Sequence, residues 1–288
     1  MSTSNLDALI PPEMAKKAEA VGEAKAKMPV RQMFVLSVLA GAFIALGAMF
    51  STTATTGLSS ILPYGLTRVV AGLTFSLGLV LVVVAGAELF TGNNLVVMAW
   101  ASGRVKTYEL LGGWALVYIG NFLGAVATAW LVFQSRLHES AGGDVGDLAV
   151  AIAAQKCELG FWTAFVRGVL CNGLVCLAVW LSFSARTTTD RILAIVGPVT
   201  AFVACGFEHS VANMYFIPHG IWVDQVPEAS SATAFFTRPE RVSGPSWSGF
   251  LDNLFPVTLG NMVGGGGLVG MIYWWVYRVG AKPDQPAE

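Results

Sequence analysis

Charge is what this chain has least of. Only 12% of its 288 residues are Asp, Glu, Lys or Arg, half of the roughly 25% usual in soluble domains. So few charges cannot solvate a surface of this size on all sides, and a net charge of −1 gives no reason to expect a nucleic-acid partner. Cysteine is scarce as well. Cys157, Cys171, Cys176 and Cys205 form no Cys-x-x-Cys pair and have no His at ligand spacing. Neither a disulfide scaffold nor a metal site is expected from them, and they read as small, buried, reduced side chains. The chain also lacks a Gly-x4-Gly-Lys-Ser/Thr loop, a Gly-x-Ser-x-Gly elbow and a His-Glu-x-x-His helix. Without a phosphate cradle, an acyl-transfer nucleophile or a catalytic zinc, the sequence points away from an enzyme and implies no cofactor. No charged segment with a short apolar core opens the chain, so no cleaved secretory signal is read there.

What is abundant is apolar surface: 55% of the residues are hydrophobic, 32 are Gly, and the mean hydropathy is +0.63. Six apolar runs follow one another, at residues 33–53, 68–100, 110–133, 161–183, 192–223 and 253–277. A membrane span needs roughly 20 such residues, so the second and fifth runs are too long for one simple helix. The predicted fold is an all-α integral membrane protein of six transmembrane helices, the second and fifth broken within the membrane. Residues 31–280 form the pore domain, and residues 281–288 a cytoplasmic tail. Residues 1–30 differ: Pro11-Pro12 leads into an Ala-, Glu- and Lys-rich stretch that suits a surface helix. That helix can lie on the membrane, cover a pore mouth or be a plain extension. With the N-terminus in the cytoplasm, inner segments hold eleven Lys and Arg, and outer ones six, namely Arg68, Arg136, Lys156, Arg167, Arg238 and Arg241. The outer segments also carry acidic residues, Glu228 and Glu240 among them. The excess places both termini inside, in a multi-pass protein of the cytoplasmic (inner) membrane.

Both over-long runs contain the pattern Gly-x-Glu-x4-Asn. It reads Gly86-Ala87-Glu88-Leu89-Phe90-Thr91-Gly92-Asn93 in the first, and Gly206-Phe207-Glu208-His209-Ser210-Val211-Ala212-Asn213 in the second. A second element repeats in the same order, Gly120-Asn121-Phe122-Leu123-Gly124 and Gly260-Asn261-Met262-Val263-Gly264. A unit with an odd number of spans inserts its copy upside down. The halves, about 33–134 and 161–279, are therefore expected to be inverted three-helix repeats meeting around one site. A break within the bilayer frees backbone N–H and C=O groups that need partners. Glu88 and Glu208 are expected to accept from the freed N–H groups, and Asn93 and Asn213 to do the same at the new helix starts, as anchors of the breaks. Direct contact of the carboxylates with a permeant ion stays open beside that. Helix starts meeting at mid-membrane also favour an anion. The copies differ where Leu89 faces His209, a side chain that changes charge in the physiological range, with Thr91 and Asn172 as candidates to orient it. His138 and His219 fall in a loop and near a span end. Gly264-Gly265-Gly266-Gly267, inside an apolar run, reads as a helix-packing surface.

These two segments resemble the signatures of the formate/nitrite transporter family, over nearly the whole chain and most closely in its formate-channel branch. The resemblance implies an aquaporin-like fold, a homopentamer with one pore per protomer, and a mobile loop around residues 89–92. It implies constriction residues at Phe75, Leu79, Leu89, Phe90, Val175 and Phe202, a central His209 with Thr91 and Asn172 beside it, a vestibule Lys156 and a pore Asn261. The function expected is passage of small monovalent anions, formate first, with His209 protonating the anion or remaining cationic beside it. Glu88 and Gly92-Asn93 look more like the nitrite and hydrosulfide branches, which keeps those anions open. A neutral-solute channel of the aquaporin type is the remaining alternative, although its Asn-Pro-Ala motifs are missing. The partners expected are a small anion, the lipid bilayer and identical subunits.

Overall fold

The computed structural model describes residues 8–226 and 244–280. Arg238, Arg241, Glu228, Glu240 and the tail 281–288 lie outside them. Among the described residues every regular element is helical: α1 (Pro11–Ala26), α2 (Val30–Thr55), α3 (Tyr64–Ala85), α4 (Val97–Ala101), α5 (Thr107–Gln134), α6 (Asp144–Cys157), α7 (Phe161–Ser184), α8 (Thr188–Ala204), α9 (Ser210–Asp224), α10 (Trp247–Met262) and α11 (Ile272–Arg278), with short 3-10 turns and one π segment between them. Five helical stretches are long and apolar enough to cross a membrane: Val30–Ser60, Tyr64–Ala85, Thr107–Gln134, Phe161–Ser184 and Trp247–Arg278. The run at 192–223 is divided into α8 and α9.

The two halves are built alike. α2 packs against α3 and α5, α7 packs against α8 and α10, and the halves join along α3 and α8. The repeated Gly-Asn-x-x-Gly element explains how closely these helices approach. A Cβ on Gly124 would overlap the carbonyl of Val38, and one on Gly264 that of Val169; Gly41 and Gly260 meet the carbonyls of Asn121 and Phe165 in the same way. Small residues of this kind let helices pack backbone to backbone where water provides no driving force between them. In the four-glycine run Gly264 and Gly265 do pack closely, whereas Gly267 faces open space. The run lies in a π segment, Val263–Met271, between α10 and α11.

Each break is made by the first glycine of its motif. Gly86 has φ +82° and Gly206 φ +70°, the left-handed conformation that ends helices and that only glycine adopts without strain. Gly86 and Ala87 both donate to the Val82 carbonyl, while Gly206 and Phe207 donate to Val203 and Phe202. The chain then runs through Ala87–Thr91 and Phe207–His209 before turning helical again.

α1 lies against the start of α4 and against α7 and α11. Met14, Ala15, Ala18, Glu19 and Gly22 form its buried stripe. Glu19, with no exposed surface, pairs with Arg278 at 2.9 Å and Arg104 at 3.6 Å. One expectation needs correction. Cys171 and Cys176 are buried, but Cys157 is half-buried and Cys205, which caps the end of α8, is exposed. His138, in the segment between α5 and α6, and His219, in the second half of α9, are both buried, stacked on Phe133 and Tyr215.

Candidate permeation site

Asparagine supplies the partners that the breaks require. In the first half Asn121 of α5 accepts from the Phe90 N–H (2.8 Å) and donates to the carbonyls of Ser37 (2.7 Å) and Glu88 (2.9 Å). In the second half Asn261 of α10 accepts from the Ser210 N–H (2.9 Å) and donates to Gly168 (2.8 Å) and Glu208 (3.0 Å). The N–H of Glu88 goes to the Leu36 carbonyl, and that of Glu208 to the Arg167 carbonyl. The correspondence is atom for atom, and Asn suits it because one planar amide both donates twice and accepts.

The carboxylates therefore do not take the freed N–H groups, as the sequence led us to expect. Glu88 accepts from Lys25 Nζ and Asn93 Nδ2, both at 2.7 Å. Glu208 accepts from Lys156 Nζ at 2.9 and 3.0 Å and from Asn213 Nδ2 at 2.7 Å. Each half thus holds a Lys–Glu–Asn cluster in which a buried carboxylate is paired and hydrogen-bonded, as a charge at that depth must be. Lys25 comes from α1, whose place in the fold the sequence left open. Asn213 lies within α9 and caps nothing; the cap is His209, whose Nδ1 accepts from the Ala212 N–H at 3.1 Å.

That bond fixes the ring. With Nδ1 accepting from backbone, the neutral imidazole carries its proton on Nε2, which lies 3.0 Å from Thr91 Oγ1. Phe202 stacks on the ring at 6.0 Å between centroids. Asn172, expected beside His209, instead donates to the Thr91 carbonyl (3.2 Å), Asn94 Oδ1 (2.8 Å) and the Asn261 carbonyl (2.7 Å). It holds the loop that carries Thr91.

Two cavities approach this pair from opposite ends. One, of about 330 Å³, is lined by α1 and by Leu79, Glu88, Leu89 and Asn93, with Lys25 at its wall. The other, of about 340 Å³, is lined by Lys156 of α6 and by Phe75, Phe202, Glu208 and His209. They share no lining residue. Between them Phe75, Leu79, Leu89, Val175 and Phe202 belong to one buried apolar cluster, with Phe75 edge-on to Phe202 at 5.7 Å. The Thr91–His209 contact crosses that zone between the two halves. Phe90 and Val175 line neither cavity; Phe90 packs on Tyr118 and Trp114, at 4.9 and 6.3 Å. Asn261 is fully buried with its amide committed to backbone.

Reasoning from the sequence missed three contributors. The place of Asn121 in the repeated element was the available signal for it. Arg68 of α3 reaches across to α8, with Nε donating to the Ala204 carbonyl at 3.2 Å and Nη2 to that of Val203. Arg167 stands in the wall of the α6-side cavity.

A family model described as formate/nitrite transporter matches residues 12–275. The chain is 43% identical over 272 residues to the formate channel FocA of Escherichia coli, covering 94% of this chain and 95% of that protein. It is 40% identical over 275 residues to FocA of Haemophilus influenzae, covering 92% and 93%. Among solved structures it resembles a pentameric formate channel with formate bound, with a TM-score of 0.78, 41% identity, and 86% and 97% of the two chains covered. It also resembles an ion channel of the FNT family, with a TM-score of 0.77, 28% identity, and 92% and 98% covered.

Proposed function

The chain belongs to the formate/nitrite transporter family, and on that premise we propose that it is a formate channel in which the solute crosses the apolar zone as the conjugate acid. The observation that carries this reading is the Thr91–His209 contact, 3.0 Å long and buried between the two cavities. A bare carboxylate passing between Phe75, Phe202, Leu79 and Leu89 loses its hydration, a cost of several kcal/mol or more. Formic acid largely avoids that cost.

His209 takes a proton at Nδ1, giving up the Ala212 bond, which is worth about 1 kcal/mol. The imidazolium then hands its Nε2 proton to a formate oxygen in place of Thr91 Oγ1. Formic acid crosses and releases the proton in the far cavity. The ring, left with its proton on Nδ1, takes one at Nε2 from the cavity it lines and gives up the one on Nδ1, which restores the Ala212 bond, so each cycle moves one proton with one formate. We assign residues 31–280 to a pore domain of six spans, with α8 and α9 together as the fifth, and both termini cytoplasmic. The membrane is the inner one. The α1-side cavity is then the inner vestibule and the α6-side cavity the outer. The exposed apolar faces, including Leu111, Ile119, Leu123 and Leu131 of α5, meet lipid or the neighbouring subunits of a homopentamer.

A panel of formate, nitrite, hydrosulfide, acetate and lactate in proteoliposomes, from about pH 5 to about pH 8, tests the assignment. Formate is expected to move fastest, acetate and lactate progressively more slowly as volume rises, and formate flux to increase toward acid. Nitrite or hydrosulfide moving faster would transfer the assignment to that anion, the outcome that Glu88 and Gly92-Asn93 favour. If none of the five moves while glycerol or water does, the reading fails.

A further inference from the structure

The outer vestibule carries a charge excess that the inner one lacks. Among the described residues Lys25 and Glu88 are the only ionic groups lining the α1-side cavity, and they neutralise each other. Among the described residues the α6-side cavity is lined by Lys156, Arg68 and Arg167 against the single carboxylate of Glu208, two positive charges in excess. These cations are not equivalent. Lys156 is held by Glu208 at 2.9 Å. Arg68 is engaged at the end of α8, where its guanidinium satisfies two terminal carbonyls and offsets the negative pole of the helix. Arg167 has no hydrogen bond or ion pair through its side chain among the described residues.

Arg167 sits in the second turn of α7 (Phe161–Ser184), and its own carbonyl accepts the Glu208 N–H at 3.3 Å, so it stands directly beside the second break. An ionised side chain within a span is costly unless it faces water or a partner, and this one faces a cavity that leads to His209. Its planar fork of donors matches a carboxylate in two parallel hydrogen bonds, which a lysine cannot do. We propose that Arg167 is an anion-docking residue of the outer vestibule, taking the carboxylate of formate before it reaches Thr91 and His209. The proposal rests on reading the cavity as an anion vestibule, and it adds to Lys156 a residue whose donors are free for the solute.

Cys205, exposed and lining the same cavity, provides a readout that needs no transport. In a Cys157→Ser background, the reaction rate of Cys205 with an anionic methanethiosulfonate reagent, relative to a cationic one, reports the local potential. Arg167→Gln is expected to lower that ratio about fivefold. It should also abolish the slowing of the anionic reagent by excess formate. Arg167→Lys should keep the ratio near wild type while weakening the protection. In flux measurements Arg167→Gln should raise the half-saturating external formate concentration by roughly 3- to 10-fold, with the maximal rate nearly unchanged. Formate protection that persists undiminished in Arg167→Gln overturns the proposal. If the wild type moves no formate yet formate protects Cys205 in an Arg167-dependent way, the channel reading fails and the docking site stands.

Discussion

His209→Asn is expected to lower formate flux at about pH 5 by ~100-fold, the range in which positioned acid–base groups act, while leaving flux near neutrality much closer to wild type. The substitution isolates proton chemistry because it preserves the architecture. His209 is the N-cap of α9, with Nδ1 accepting from the Ala212 N–H, and Asn is among the best N-cap residues. Its carbonyl oxygen takes the place of Nδ1 in the cap, while its NH2 stops one bond short of Nε2 and gives up the direct contact with Thr91 Oγ1. What Asn cannot do is take up a proton and release it to a carboxylate. The measurement is formate flux and current in proteoliposomes across the pH range. A variant that behaves like wild type at every pH removes His209 as proton donor, leaving only a positioning role for the Thr91 contact.

Asn261→Leu is expected to abolish folding, not merely transport. The substitution removes three hydrogen bonds. The Gly168 carbonyl keeps its bond within α7, but the Ser210 N–H and the Glu208 carbonyl are left facing an apolar interior. At about 1–3 kcal/mol for each of these two groups and about 1 kcal/mol for the third bond, the loss is roughly 3–7 kcal/mol, comparable with the ~5–15 kcal/mol by which a domain is stable. Asn121→Leu should fail to the same degree through Phe90, Ser37 and Glu88. Asn261→Asp retains an acceptor for Ser210 but opposes two carbonyls, so it offers no rescue. Size-exclusion profiles of detergent-extracted protein report the outcome. A monodisperse, transporting Asn261→Leu protein would show that the breaks are held by something other than the asparagines.

The places where the chain bends were legible from sequence because they are local. A Gly-x-Glu-x4-Asn pattern within an over-long apolar run locates each break, and Gly86 and Gly206 adopt the left-handed conformation that such a break needs. The groups that satisfy the breaks were not legible, because they arrive from distant helices. Phe90 and Asn121 are 31 residues apart, Lys25 and Glu88 63, and Thr91 and His209 118. With only adjacency to judge by, the carboxylates look like the anchors, Asn121 only like a mark of the repeat, and Asn261 like a pore residue. The copies diverge in polarity at Leu89/His209, Phe90/Ser210 and Thr91/Val211, and Leu89 lines the one cavity and His209 the other. Which further residues line the cavities was not legible from sequence. Phe90 turns toward Tyr118, and Cys205 is exposed because the chain leaves its helix there.

The most direct test of passage as the conjugate acid is to count protons. Influx of labelled formate and internal pH are followed together in proteoliposomes carrying the wild-type protein, with protein-free vesicles subtracted. The account predicts that at about pH 5 one proton enters with each formate and no net current accompanies it. Formate entering at that pH with one negative charge and no internal acidification would contradict it.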